Sequence, residues 1–228
     1  IRTTSCTTGM YAPFVITPTS SGNAADTFGS GIQFNIADCG VGATRLGVFG
    51  IERHGADNSG RYIFSVDNAG SQTTVMTIDN TGTVSMPLQP AFLATGAGQA
   101  NATGNNTTVT LEWPSEIFDQ NADFDTTNDR FQAPVTGRYF LSFHFRIDEV
   151  GSGNDLFVVV ITPNRNYEFK VAADGIDVSG SLRYEGTVFA DIDATEVVTV
   201  TVRLNGTGGD TADIISGIDT WFAGFLVA

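Results

Sequence analysis

The stretch Arg138-Tyr139-Phe140-Leu141-Ser142-Phe143-His144-Phe145-Arg146-Ile147 alternates with a period of two. On an extended chain, successive side chains point to opposite faces. Tyr139, Leu141, Phe143, Phe145 and Ile147 therefore share one face, and a core-lining strand is expected here. The other face carries Ser142, His144 and Arg146, but also Phe140. A strand with one wet face alternates apolar and polar residues, so Phe140 calls for a second cover.

Outward from this stretch the same signals recur. Runs of β-branched and aromatic residues at 107–113, 130–133, 156–162, 167–171, 181–190, 197–204 and 220–227 are separated by Gly, Asn and Asp clusters. Helical periodicity over eleven or more residues never appears. So many short strands in about 140 residues read as an antiparallel sandwich or jelly roll. Two more segments are apolar on both faces. Residues 156–161 are continuous Leu-Phe-Val-Val-Val-Ile, and 221–228 place Trp221, Ala223, Phe225 and Val227 opposite Phe222, Gly224, Leu226 and Ala228. With no helix to cover them, such faces would forfeit several kcal/mol per strand at ~25 cal/mol per Å². Another copy of the chain is the economical cover. The expected interface residues are Phe140, His144, Trp221, Phe222, Phe225 and Leu226.

Upstream, Met86-Pro87-Leu88-Gln89-Pro90 interrupts ladder pairing, and a boundary is expected there, giving units 1–88 and 89–228. Residues 1–30 read as a loosely ordered lead-in. Residues 31–86 carry short strands at 32–37, 45–53, 61–66, 75–78 and 83–86. Asp67-Asn68-Ala69-Gly70 and Asp79-Asn80-Thr81-Gly82 are turn signals between them. This is a β meander.

The charge balance is 25 acidic against 11 basic residues, net −14, with Lys170 the only lysine. Such a chain repels phosphate backbones and anionic lipid, so nucleic acid and membrane surfaces are poor partners. No apolar run approaches the ~18–20 residues of a membrane span. The sequence opens on Ile1, and residues 1–18 lack a basic start followed by an apolar stretch, so a piece of a longer chain is expected. Two cysteines, Cys6 and Cys39, leave pairing and free thiols equally open.

Trp113, Asp119, Phe124, Phe131, Gly137, Tyr139, Leu141 and Phe143 stand at intervening gaps of five, four, six, five, one, one and one residues. This spacing resembles the signature of the complement C1q globular heads, part of the tumour-necrosis-factor-like jelly rolls. Trp113 and Leu141 stand where that family has Phe, and both keep a bulky apolar group. Pro90-Ala91-Phe92 resembles the family's entry strand and residues 220–226 its closing strand. The resemblance covers about residues 89–228 and implies a ten-stranded-type antiparallel jelly-roll head that forms homotrimers. Residues 31–86 resemble, in texture, the β-structured shafts of bacteriophage tail fibres. The collagen-like Gly-x-y stalk usual beside animal heads of this kind is absent from these residues.

Catalytic signatures are lacking. The histidines are His54 and His144, no His/Cys/Asp set has zinc spacing, and neither Gly-x-Ser-x-Gly nor a phosphate loop occurs. Acidic residues are too numerous for any carboxylate pair to point to glycoside hydrolysis. Asp119, Asp123, Asp125 and Asp129 crowd one region, and Asp210 and Asp213 another. Calcium, which takes about six to eight oxygens from flexible loops, is the cation such acids suit; ordinary solvated loop acids are the alternative. Binding residues are expected in loops, because strands serve core and assembly: Asn154, Asn164, Arg165, Asn166, Tyr167 and the Asp174 to Asp177 segment. Taken together, these features point to a trimeric virion-fibre tip, extracellular on the particle, attached to upstream fibre or virion proteins. It would recognise a host cell-surface glycan or protein. The alternatives are a secreted C1q-like lectin or immune-type head of cellular origin, and a capsid decoration protein without a receptor role.

Overall fold

The computed structural model describes residues 15–38, 42–151, 153–172 and 180–228. The chain divides into two compact units, Ile1–Pro87 and Leu88–Ala228. Among the described residues every helix or strand element is a strand. Cys6, Cys39, Asp174 and Asp177 lie outside the described residues.

In the N-terminal unit, β1 (Gly29–Asp38), β2 (Gly42–Arg53), β3 (Gly60–Asn68), β4 (Ser71–Ile78) and β5 (Val84–Ser85) form one antiparallel meander in sequence order. The β3–β4 loop is Ala69-Gly70, with Asn68 paired to Ser71. Both loop residues have positive φ, 49° and 86°, the backbone that matches the twist of a two-residue hairpin. At the next turn, Asp79 Oδ1 accepts from the amides of Thr81 and Thr83. Register places Ile32, Phe49, Phe64 and Met76 in one row across the sheet, and Ile51, Tyr62, Ile78 and Val84 in a second. The opposite face mixes Val48 and Ile63 with polar residues, Arg61 pairing with Glu52 at 2.6 Å and Arg45 with Asp67 at 2.9 Å. Among the described residues of this unit only Gly47, Gly50 and Ser65 are buried.

The C-terminal unit runs β6 (Ala91–Gly96), β7 (Gln99–Thr103), β8 (Thr108–Thr110), β9 (Ser115–Asp119), β10 (Phe124–Asp125), β11 (Arg130–Gln132) and β12 (Gly137–Val150). It continues through β13 (Asp155–Ile161), β14 (Asn166–Ala172), β15 (Gly180–Ile192), β16 (Val197–Asn205), β17 (Ala212–Ile215) and β18 (Gly217–Leu226). All pairings are antiparallel, and four are nested: β6 with β18, β11 with β16, β12 with β15, β13 with β14. A long hairpin folded over in this way is a jelly roll. One sheet is β9-β6-β18-β12-β15, with β17 and β7 continuing beside β12; the other is β10-β11-β16-β13-β14, with β8 also on β16.

The core lies between these sheets. Tyr139, Leu141, Phe143, Phe145 and Ile147 of β12 are buried, facing Leu156, Val158 and Val160 of β13 and Val198, Val200, Val202 and Leu204 of β16. At one end Phe92 packs its ring on Phe124, Phe131 and Phe222, and Trp113 packs on Phe222. The spaced signature positions are thus structural. Trp113, Phe124, Phe131, Tyr139, Leu141 and Phe143 are buried. Asp119 Oδ2 accepts from the Phe124 amide at 2.8 Å, and the Tyr139 hydroxyl donates to the Val135 carbonyl at 2.7 Å. A side chain at Gly137 would meet Leu226 Cδ1 at 2.6 Å and the Ala228 carbonyl oxygen at 2.8 Å.

Two expectations change. Phe222, expected at an interface, is 0% exposed inside the sandwich, and Leu226 packs partly buried against the same core. Even-numbered positions of β18 face inward here, because Phe222 pairs with Phe143 and Gly224 with Leu141. The doubly apolar 156–161 run needs no second copy at Phe157, whose ring is covered by Arg203 at 4.0 Å and Lys170 at 5.1 Å.

Candidate assembly face and recognition loops

The outward face of the β9-β6-β18-β12-β15 sheet takes the residues that alternate with the core positions. Strand register lines up Phe189, Phe140, Phe225 and Ala91 in one row. The rings of Phe189 and Phe225 lie 5.2 and 5.4 Å from that of Phe140. The next rows are Thr187, Ser142, Ala223, Leu93 and Phe118, then Glu185, His144, Trp221 and Thr95. Phe189 is 68% exposed, Phe225 47% and Ile218 93%. Leu93, Thr95, Ile117, Ile218 and Trp221 line an apolar hollow of about 410 Å³. Isolated exposed apolar residues are ordinary, but a contiguous sheet face of them is an association surface.

His144 lies within this face. Its ring stacks on Trp221 at 5.9 Å, and Nδ1 donates to the Asp219 carbonyl at 2.9 Å. The face turns ionic beyond it. Arg146 pairs with Asp148 at 2.7 Å and Asp219 at 3.7 Å, and Arg183 with Asp219 at 3.2 Å. The Arg146 guanidinium holds the Asp148 carboxyl below the usual carboxylate range, and Arg183 does the same for Asp219.

Three of the four expected binding residues at 164–167 meet at a residue that sequence reading passed over, Asp191, two at its carboxylate and one at its backbone carbonyl. Arg165 pairs with it at 2.9 Å, the Tyr167 hydroxyl donates to it at 3.4 Å, and Asn164 Nδ2 donates to its carbonyl at 3.1 Å. Hydrogen bonding by its own backbone amide, then the Arg165 charge, holds the Asp191 carboxyl low. Asn166 is exposed and pairs with Ile161 at the hairpin's end. Alternation on β15 marks Asp191 as outward-facing; nothing local in the sequence ties it to a loop 26 residues earlier. The cluster offers a fixed cation, a carboxylate, an amide and a phenol on an open surface.

Asn154 is corrected from a binding residue to a clamp. It is 3% exposed; its Oδ1 accepts from the Gly151 amide and its Nδ2 donates to the Asn205 carbonyl. The acidic loops are also redirected. Among the described residues no group of three or more His, Cys, Asp or Glu side chains is arranged to hold a metal ion. Asp119 caps the turn into β10, Asp125 accepts from Asn128 and Arg130, and Asp129 accepts from the Trp113 amide. Asp210 and Asp213 pin the amides of Asn105 and Asn101. Short acidic side chains at turns hydrogen-bond nearby backbone. Asp123 differs: burial first, then the neighbouring Asp119 charge, pushes its carboxyl above the usual range.

No family model and no curated protein matches the chain. Among solved structures it is similar to the globular domain of zebrafish complement 1qA, with 20% identity and a TM-score of 0.43, covering 61% of this chain and 98% of that one. It is also similar to murine APRIL at pH 8.0, with 10% identity and a TM-score of 0.42, covering 61% and 99%. A second murine APRIL structure, at pH 5.0, matches with 10% identity and a TM-score of 0.40 over the same shares.

Proposed function

We propose that the C-terminal jelly roll is a trimeric recognition head at the tip of a virion fibre, and that the N-terminal unit joins it to the rest of the particle. The observation that carries this reading is the aromatic row Phe189–Phe140–Phe225 on an otherwise uncovered sheet face. Two further copies cover such a face when each packs a different patch against its neighbour and the rotation closes into a ring. The head then recognises rather than transforms. Its target is a host-surface molecule, glycan foremost, engaged by the Asn164–Arg165–Tyr167–Asp191 cluster. A guanidinium, a carboxylate and an amide in fixed mutual positions suit sugar hydroxyls, which both donate and accept. Three such sites on one particle turn a weak contact into a firm one through avidity.

Labelled full-length protein is applied to host cells and to an array of cell-surface glycans. Retention that drops by an order of magnitude or more in Arg165→Ala and Tyr167→Ala, with melting unchanged, supports the reading. Retention equal in both variants moves recognition away from this cluster. Absence of any binding, with copurification on capsids instead, replaces it by a structural decoration role.

A further inference from the structure

Arg138 is the second residue of β12, is exposed, and stands opposite Asp191 in the β12–β15 ladder. Residues paired across antiparallel strands share a face, with Cβ atoms about 5 Å apart. Arg138 therefore borders the Asn164–Arg165–Tyr167–Asp191 cluster. The Asp191 carboxylate is already taken: Arg165 pairs with it at 2.9 Å and the Tyr167 hydroxyl donates to it at 3.4 Å. The backbone of Arg138 is tied to Val227 and Ala228, while its guanidinium has no partner among the described residues. Every other arginine of the described residues has one. Each meets a carboxylate except Arg203, which meets Asn106 and the Phe157 ring. Acidic residues outnumber basic ones 25 to 11, yet none closes this cation.

We infer that Arg138 is the subsite for an anionic group, a carboxylate or a sulfate, carried by one sugar of the glycan that the cluster holds. This rests on the recognition reading of that cluster and names its ligand class as acidic. Arg165, neutralised by Asp191, is left to sugar hydroxyls together with the Asn164 amide. Arg138 supplies the charge that nothing in the chain answers. Its planar fork reaches two oxygens of a carboxylate or sulfate at once. The net charge of −14 limits the class further. The field of distant charges is screened beyond a Debye length of about 8 Å, so an isolated acid at Arg138 feels the local cation. A dense polyanion lies against the rest of the acidic surface as well and is repelled. The ligand is an otherwise neutral glycan with one acidic sugar.

Labelled full-length protein is applied to matched oligosaccharides that carry no charge, one carboxylated sugar or one sulfated sugar, and to dextran sulfate as a dense polyanion. Retention on one singly acidic set should exceed that on the neutral set by at least about tenfold, the worth of one charged hydrogen-bonded contact. Which set is retained tells carboxylate from sulfate. Arg138→Gln, which breaks no side-chain contact within the chain, should abolish the preference with melting and three-chain mass unchanged. Arg138→Lys, keeping the charge without the fork, should recover part of it. Equal or stronger retention on neutral sugars, lost in Arg165→Ala but not in Arg138→Gln, overturns the acidic ligand and leaves the cluster's role standing. Stronger retention on dextran sulfate than on either singly acidic set overturns it too, by showing that charge density alone is read. Loss of the three-chain mass in Arg138→Gln overturns it by giving the guanidinium to a neighbouring copy. Absence of retention on every set, or retention indifferent to both variants, overturns the inference and the cluster's role together.

Discussion

Gly137 shows how a sequence signature becomes geometry. The chain's last residues pass so close that a Cβ there would lie 2.6 Å from Leu226 and 2.8 Å from the Ala228 carbonyl oxygen. Backbone cannot yield cheaply, so Gly137→Val should cost about 1–3 kcal/mol, read as a lowered denaturation midpoint. Gly208→Ala, with open space around it, should leave the midpoint nearly unchanged. Asp123 gives a prediction of opposite sign. Burial and Asp119 raise its carboxyl above the ordinary value, so the folded state holds this proton to higher pH than the unfolded chain does. Stability is therefore lost as pH rises from about 4 through the folded pKa. Asp123→Asn should raise the melting temperature at about pH 7 and leave it unchanged near pH 2.5, where both states are protonated. A lowered melting temperature in calcium buffer would instead restore the cation reading of this loop.

Strand β18 separates the two tasks of an element. Its even positions enter the core at Phe222, while Phe225 and Trp221 face outward. Phe222→Ala should cost about 3–5 kcal/mol of folding stability, the cost of emptying a buried aromatic site. Phe225→Asp should leave the β-sheet circular dichroism intact and reduce the mass in sedimentation from three chains to one. A charge on that row is tolerable in water and costly between copies. If Phe225→Asp remains trimeric, the outward face of β18 is not the contact. Strand β13 makes the complementary point, since Phe157 sits on its outer side beneath Arg203 and Lys170. Two cations close an apolar position that otherwise resembles an interface.

At the scale of the whole molecule, assembly works against charge. Each copy carries −14, and a trimer triples it, so long-range repulsion opposes association until salt screens it. The concentration at which trimers dissociate should therefore fall as ionic strength rises from about 0.02 M to 0.3 M, where the Debye length contracts from roughly 20 Å to under 10 Å. Sedimentation at the two salt levels measures it. An unchanged or higher dissociation concentration would mean that ion pairs such as those around Asp219 bridge copies rather than edge the face.

The sequence by itself determined what depends on local periodicity: β throughout the described elements, the inward set of β12, the turns at Ala69-Gly70 and Asp79, and the uncovered Phe140. Period-two alternation fixes which side chains share a face before any partner strand is known. Tertiary structure decided what depends on which strand lies beside which. Phe222 belongs to the core and Phe225 to the surface because β18 pairs with β12 in one register, and a one-residue slip would exchange them. Phe157 is covered because β13 lies between β14 and β16, bringing Lys170 and Arg203 across it. Asn154 became a clamp and Asp191 a hub for the same reason, since each meets partners tens of residues away. Contacts between residues far apart in the chain leave no trace in local pattern, and a recognition surface in loops is built of such contacts.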